Sequence, residues 1–287
     1  MGLFKFGKSN NAYLPGCTLY YKYPEIFDLY KKIFSKLKID FRVLEKQFCC
    51  GLPALEAGYD AEARKIFRNN FDKLKEEGIK EVITTSPDCY KAFLKNYPET
   101  IPDWDIGIKN VWEIIAKRLE AKPKLIKMQA MELVTYHDSC YLGRYCDVYE
   151  EPRKILRLIG YEVKEMIDNH ENSLCCGSCG GLSRTNPGLA DKIARERILQ
   201  AKRLKVKKMI VCSLDNYQLL KKNSYDEVEI LELAEVLALA LGIKKKQRDE
   251  PEEEILEEEQ SILDSEANRK LEEELKGEEF YESVAKG

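Results

Sequence analysis

Eight of the ten cysteines fall into two copies of one pattern, and that duplication limits the possible folds more than any other feature of the chain. The first copy is Cys17, the pair Cys49-Cys50 followed by Gly51, then Cys89. The second is Cys140, the pair Cys175-Cys176 followed by Gly177, then Cys212. The gap before the pair is 31 residues in the first copy and 34 in the second. A shift of 126 carries Cys49, Cys50 and Gly51 onto Cys175, Cys176 and Gly177, and carries Ser86 and Cys89 onto Cys212 and Asp215. Two related thiol sets predict two related metal or redox sites on two related halves.

The 287 residues are enough for one large domain or two of moderate size. No run of about 18 apolar residues occurs, so no membrane-spanning helix is expected. The first ten residues lack the apolar centre and cleavage site of a secretory signal. The chain therefore reads as cytoplasmic, or as peripheral on the cytoplasmic membrane face through partner subunits. In that reducing compartment clustered cysteines are metal ligands or catalytic thiols before they are disulfides. From Asp249 onward there are 16 acidic and 4 basic residues, while the first 248 residues hold 43 basic and 34 acidic ones. No basic run is interleaved with aromatics, so the positive body reads as solvated helix faces and no nucleic-acid partner is expected.

Apolar periodicity alternates between short strands and amphipathic helices. Asn11–Pro15, Phe41–Leu44 and Val82–Thr85 read as strands of the first half, with helices at Pro24–Lys38, at Ala61–Glu77 and from about Tyr90. The second half repeats the order. Leu133–Tyr136, Tyr161–Met166 and Lys208–Val211 read as strands, with helices at Pro152–Ile159, Leu189–Leu204 and Glu232–Leu241. The expected fold is α/β: two pseudo-repeated Rossmann-like halves with parallel sheets, every cysteine group at a strand C-terminus, and an acidic C-terminal tail. The boundaries are 11–128 for the first half, 129–246 for the second and 247–287 for the tail.

Thiolates are soft anionic donors suited to iron-sulfur clusters and zinc. Adjacent cysteines diverge, which suits a cluster better than a single tetrahedral ion. Gly51 and Gly177 relieve crowding beside each pair, and the Gly177–Gly181 loop can turn backbone N–H groups toward sulfur. The texts Leu14-Pro15-Gly16-Cys17, His137-Asp138-Ser139-Cys140-Tyr141-Leu142-Gly143-Arg144 and Asn172-Ser173-Leu174-Cys175-Cys176-Gly177 complete the pattern. With them, residues 11 to 245 resemble the cysteine-rich CCG domains found in the B-type subunits of heterodisulfide reductase. They also resemble the related components of thiol:fumarate reductase, succinate dehydrogenase and glycolate oxidase complexes.

That resemblance implies an iron-sulfur subunit of a multi-subunit oxidoreductase, carrying electrons to or from a disulfide, thiol or quinone. Flavoprotein and ferredoxin-like subunits would be its partners, since the chain has no flavin or dinucleotide fingerprint and no ferredoxin motif. The family's closing Cys-x-x-Cys is Ser86-Pro87-Asp88-Cys89 in one half and Cys212-Ser213-Leu214-Asp215 in the other, so each site lacks one of five thiols. The resemblance implies a [4Fe-4S] cluster, of the non-cubane kind, in the second half at the catalytic set Cys140, Cys175, Cys176 and Cys212, with Asp215 as a further ligand. Zinc or a second cluster is expected in the first half at Cys17, Cys49, Cys50 and Cys89. Cys179 and Cys146 are candidate replacements for the missing thiol, and His137, Arg144 and Gly177 are candidates to support the cofactor. The alternative is a zinc-stabilised assembly subunit without turnover.

Overall fold

Short apolar strands, each followed by a helix, build two parallel sheets in the computed structural model, which describes residues 9–44, 47–225 and 227–243. The acidic tail lies outside these residues. The first half runs β1 (Asn11–Tyr13), α1 (Cys17–Lys22), α2 (Pro24–Leu37), β2 (Arg42–Val43), α3 (Leu52–Glu56), α4 (Asp60–Glu76) and β3 (Glu81–Ile83). It continues with α5 (Pro87–Lys91), a π-helical turn at Ala92–Asn96, α6 (Tyr97–Thr100), β4 (Gly107–Lys109) and α7 (Val111–Ala121). The second half runs β5 (Glu132–Tyr136), α8 (Glu150–Leu158), β6 (Tyr161–Val163), α9 (Leu182–Thr185), α10 (Pro187–Arg203), β7 (Lys208–Val211), α11 (Leu214–Asn223), β8 (Glu229–Glu232) and α12 (Leu233–Ala240).

The sheet orders are β2-β1-β3-β4 and β6-β5-β7-β8, and every pairing is parallel. The identical order is the duplication expressed in topology. Parallel neighbours need a crossover, and the helices supply it. Both faces of the central strands are buried: Ala12, Leu14 and Val82 face one core, while Tyr13 and Ile83 face the other. This is the two-residue period of a strand covered on both sides.

The helices follow from their sequences. In α2, Pro24 starts the helix, and Ile26, Phe27, Tyr30, Ile33, Phe34 and Leu37 make one buried stripe. In α10, the Asn186 side chain caps the N-terminus by accepting from the Leu189 N–H at 3.1 Å, and Ala190, Ala194, Ile198 and Ala201 form its buried face. Helix α2 packs on α12 and α7 on α8, so one continuous core joins Phe34 and Trp112 of the first half to Tyr136, Leu156 and Leu237 of the second. A second core around Phe67, Phe71, Phe93 and Tyr97 covers the outer face of the first sheet. No described helix is long and apolar enough to cross a membrane.

The three- and four-residue strands β4 and β8 carry too little periodic signal to emerge from sequence, whereas helix α7 is an addition to the expected elements despite its helical stripe of Val111, Trp112, Ile115, Ala116 and Leu119. Helix α5 begins at Pro87, three residues before the expected start, because Ser86 supplies an N-cap. Each cysteine group follows a strand end, as the repeat predicts.

The turn that presents Cys140 is anchored by a buried ion network. Arg153 is fully buried and grips both carboxylate oxygens of Asp138 at 2.6 and 2.9 Å and both of Glu165 at 2.7 and 2.8 Å. Asp138 also accepts from the His170 N–H at 2.9 Å. Removing one member of such a network leaves buried charge without a partner, at a cost of about 3–5 kcal/mol. Arg153→Ala should therefore lower the unfolding free energy by that amount, read from the shift in urea midpoint. A shift below about 1 kcal/mol, the surface-pair range, would show the network to be dispensable.

Candidate metal and redox centres

In the first half, β1 delivers the chain to Cys17 at the start of α1, and the loop after β2 carries Cys49-Cys50-Gly51 into α3. After β3, the Ser86 hydroxyl accepts from the Cys89 N–H at 3.4 Å and fixes Cys89 in the first turn of α5. The four sulfurs form a row: Cys17 hydrogen-bonds Cys49, Cys49 bonds Cys50, and Cys50 bonds Cys89. Cys49 is the anion of the row. Hydrogen bonds from Cys17 and Cys50 pull its pKa down, helped by the Gly51 N–H at 3.4 Å and the positive charge of Arg184. Gly51 has φ +81°, and a Cβ there would lie 2.8 Å from the Phe67 ring, so only glycine lets this loop rest on α4.

In the second half, the sulfurs of Cys140, Cys175 and Cys179 lie within 4.8 Å of one another. Cys175 is the anion, lowered by hydrogen bonds from Cys140 and Cys179 and by the Gly177 N–H at 3.3 Å. Gly177 repeats Gly51: φ is +92°, and a Cβ would meet the Ala190 carbonyl of α10 at 2.8 Å. Cys176 has other partners. It is fully buried, 3.2 Å from Asn216 Nδ2 and 3.4 Å from Ser178 Oγ, and burial pushes its thiol up to about 12.

Cys212 and Asp215 stand outside the three-sulfur set. The N-caps explain why. Ser86 caps α5, and Ser213 caps α11 by accepting from the Asn216 N–H at 3.5 Å. The equivalence here is Thr85-Ser86-Pro87-Asp88-Cys89-Tyr90 with Cys212-Ser213-Leu214-Asp215-Asn216-Tyr217, a shift of 127 rather than 126. Thr85 hydrogen-bonds Tyr13 at 2.8 Å, and Cys212 correspondingly bonds Tyr136 and also Trp112, fully inside the core. Asp215 matches Asp88, and the two carboxyl groups hydrogen-bond each other, with Thr18 Oγ1 donating to Asp215 at 3.0 Å. Asn216 takes the place of Cys89, and the contact Cys50–Cys89 of the first half becomes Cys176–Asn216 in the second.

The cysteine-rich CCG domain model matches residues 11–93 and 134–215, the two segments that carry these sites. The chain belongs to this family. Among curated relatives, a component of the dihydromethanophenazine:CoB–CoM heterodisulfide reductase of Methanosarcina barkeri is 27% identical over 82% of this chain and 60% of that protein. A component of the fumarate reductase (CoM/CoB) of Methanothermobacter marburgensis is 28% identical over 81% of this chain and 46% of its own length. The probable iron-sulfur-binding oxidoreductase FadF of Bacillus subtilis is 27% identical over 73% and 30%. The chain thus spans at most about three fifths of these relatives. Among solved structures, the Picrophilus torridus aspartate racemase matches at 12% identity with a TM-score of 0.38, over 83% of this chain and 96% of that one, a likeness too loose to bear on the site.

The CCG cysteines of the first half open on a cavity of about 1040 Å³. Cys17, Cys49 and Cys50 lie on one wall, with Tyr141, Arg184 and Asp215 of the second half opposite. Arg144 donates to Cys140 Sγ at 2.8 Å and to the Ser173 carbonyl at 2.6 Å. His137 is fully buried, and its Nδ1 accepts from Arg197 Nε at 3.0 Å. Burial and the Arg197 charge lower its pKa well below the usual value, so the ring is neutral. Cys146 lies outside both thiol sets, with a thiol raised to about 11 by burial.

Sequence reasoning missed Asn216, Asp88, Tyr141 and Arg184. The first two were signalled by the shared Ser-x-Asp text that fixes the 127 shift. Tyr141 donates to Glu56 at 2.5 Å and accepts from the Gly180 N–H at 3.0 Å, a bridge between halves that only the fold creates. Arg184 likewise reaches the first-half thiols from the second half, without local signal.

Glu232 also lines the cavity. It accepts from Tyr30 OH at 2.6 Å and from the Ala234 N–H at 2.6 Å, capping α12. Burial raises its pKa from 4.5 to about 8, partly offset by these bonds. The native state therefore holds a proton that the unfolded chain releases between these values. The resulting stabilisation is complete below pH 4.5 and is lost as pH rises through about 8. Wild-type stability should fall between pH 5 and 9 more steeply than that of Glu232→Gln, as measured by urea unfolding across the range. Parallel pH profiles would refute the assignment.

Proposed function

We propose that this chain is the iron-sulfur subunit of a multi-subunit oxidoreductase, and that its cluster is held in the first half by Cys17, Cys49, Cys50 and Cys89. The observation that carries this reading is the row of four sulfurs, three of which, Cys17, Cys49 and Cys50, line the cavity. All four donors are soft thiols, and one of them is already stabilised as the anion. Adjacent sulfurs spread along a row can reach different irons, which is the demand a cluster makes. The expectation from sequence favoured the second half, but that half assembles three sulfurs and holds Asn216 where the fourth would be.

The names of the relatives support the wider role. A heterodisulfide reductase, a fumarate reductase and an EtfAB:quinone oxidoreductase are all oxidoreductases. The substrate class is a disulfide/thiol or quinone reached through the cavity, and partner subunits would supply the further redox modules that such a reaction needs. When bound, the cluster supplies electron transfer with a potential set by charge, hydrogen bonding and exposure. The chain's own residues would set those terms. The Gly51 N–H and Arg184 offset the negative charge at Cys49, and the N-cap at Ser86 fixes the helical turn that holds Cys89. The carboxyl pair Asp88 and Asp215 keeps one proton beside the cavity, because burial and the second carboxylate hold Asp88 well above the normal range.

Anaerobically purified protein should contain iron and sulfide and absorb in the visible. Cys49→Ser and Cys50→Ser should each lose most of that iron, whereas Cys212→Ser, a core substitution, should keep it. Iron content unchanged in Cys49→Ser would sink the first-half assignment.

A further inference from the structure

We propose that Tyr141 of the second half is a positioning residue for the first thiol set, acting through Glu56 on the two short helices beside Cys50 and Cys89. Helix α3 begins directly after Cys49-Cys50-Gly51, and α5 holds Cys89 in its first turn. Each helix has five residues, too few to hold its place by its own hydrogen bonds. Glu56 closes α3 and Lys91 closes α5, and the Lys91 ammonium donates to Glu56 Oε1 at 2.9 Å. The two helices are thus joined at their C-terminal ends by an ion pair and at their thiol ends by the contact of Cys50 with Cys89. Lys91 is buried, and its ammonium also lies over the rings of Tyr141, at 5.1 Å, and Tyr145, at 4.5 Å.

The hydrogen bonds place Tyr141 at the centre of this node. Its phenol has one proton, which goes to Glu56 Oε2 at 2.5 Å because a carboxylate only accepts. The phenol oxygen in turn accepts from the Gly180 N–H at 3.0 Å. Lys91 engages one oxygen of Glu56 from the first half, and Tyr141 engages the other from the second. The node therefore ties together four thiol-bearing stretches. Glu56 lies six residues after Cys50, Lys91 two after Cys89, Tyr141 one after Cys140 and Gly180 one after Cys179. Thr18 makes the parallel connection: it follows Cys17 as Tyr141 follows Cys140, and it crosses the other way, to Asp215 at 3.0 Å. In both copies of the repeat, the residue after the leading cysteine reaches into the opposite half. Glu56 and Tyr141 both line the cavity, so the node is part of its wall. Removing the Tyr141 hydroxyl frees Glu56 from the second half and loosens α3 against α5, while the ring beneath Lys91 stays in place.

The test is site-resolved alkylation of the full chain by iodoacetamide, read by mass spectrometry after a chelator has removed metal under reducing conditions. Cys50 and Cys89 are buried and react through local opening. Tyr141→Phe should raise both rates about fivefold, the factor for one lost hydrogen bond. Cys212, equally buried but outside the node, should keep its wild-type rate, which separates positioning from a general loss of stability. Glu56→Ala should raise the rates at Cys50 and Cys89 likewise, and adding Tyr141→Phe to it should change them by less than about twofold. The proposal would be overturned by rates at Cys50 and Cys89 within about twofold of wild type in Tyr141→Phe, by a matching rise at Cys212, or by full additivity in the double variant. The redox consequence rests on the first-half cluster: with iron bound there, Tyr141→Phe should also speed iron release to a chelator about fivefold. Faster alkylation with unchanged iron release would uphold the role of Tyr141 and count against the cluster assignment instead.

Discussion

The contact between a loop backbone and a helix, Gly51 against Phe67 of α4 and Gly177 against Ala190 of α10, fixes both cysteine pairs. In each half the missing side chain lets the loop lie on the helix in a left-handed conformation. That conformation turns the glycine N–H back onto the first sulfur of the pair, at 3.4 and 3.3 Å. The second sulfur is left buried against the helix that follows β3 or β7. An ordinary side chain would face both the backbone strain, about 1–2 kcal/mol, and a contact shorter than any packed core tolerates. The sulfur arrangement depends on this junction, and the junction depends on the sheets that bring α4 and α10 alongside.

On that common frame the halves have diverged in how they neutralise a buried sulfur. In the first, Cys50 meets Cys89, so two soft donors share one environment. In the second, Cys176 meets Asn216 Nδ2, a hydrogen-bond donor that satisfies a thiol but offers a metal only a poor oxygen ligand. The exchange is chemically conservative for folding, since both side chains fill the N3 position of a capped helix and contact the same sulfur. It is not conservative for metal binding. Duplication with this exchange and the gain of Cys179 gives two thiol sets of different shape.

The parallel order, the strand-end position of each cysteine and the long amphipathic helices were legible in sequence because each rests on periodicity or on a repeated motif. The short strands β4 and β8 were not, because three or four residues bound into a sheet by their neighbours need no pattern of their own. The closing motif was misaligned by one residue. Matching cysteine to serine favoured a shift of 126, whereas helix capping, a backbone requirement, holds Ser86 to Ser213 and fixes 127. That difference places Cys212 in the core beside Tyr136, apart from the three clustered sulfurs, and exchanges the counterpart of Cys89 from Asp215 to Asn216. Residues placed by tertiary structure alone, Arg184 and Tyr141, had no local signature to read.

Charge explains why the first set requires the second half. A cluster of thiolates in a partly buried site repels further anionic charge unless cations or N–H dipoles face it. The first set draws Arg184 from the second half, whereas the second set is served from within by Arg144. The first set therefore depends on how the two halves are held together, through α2 on α12 and α7 on α8, and it faces the cavity where the halves meet. The second set is complete in its own half. A thiol set whose compensating charge is supplied across an interface responds to whatever shifts that interface, while a self-contained set does not. The two thiol sets thus differ in the source of their compensating charge: Arg184 of the other half for the first, Arg144 of the same half for the second.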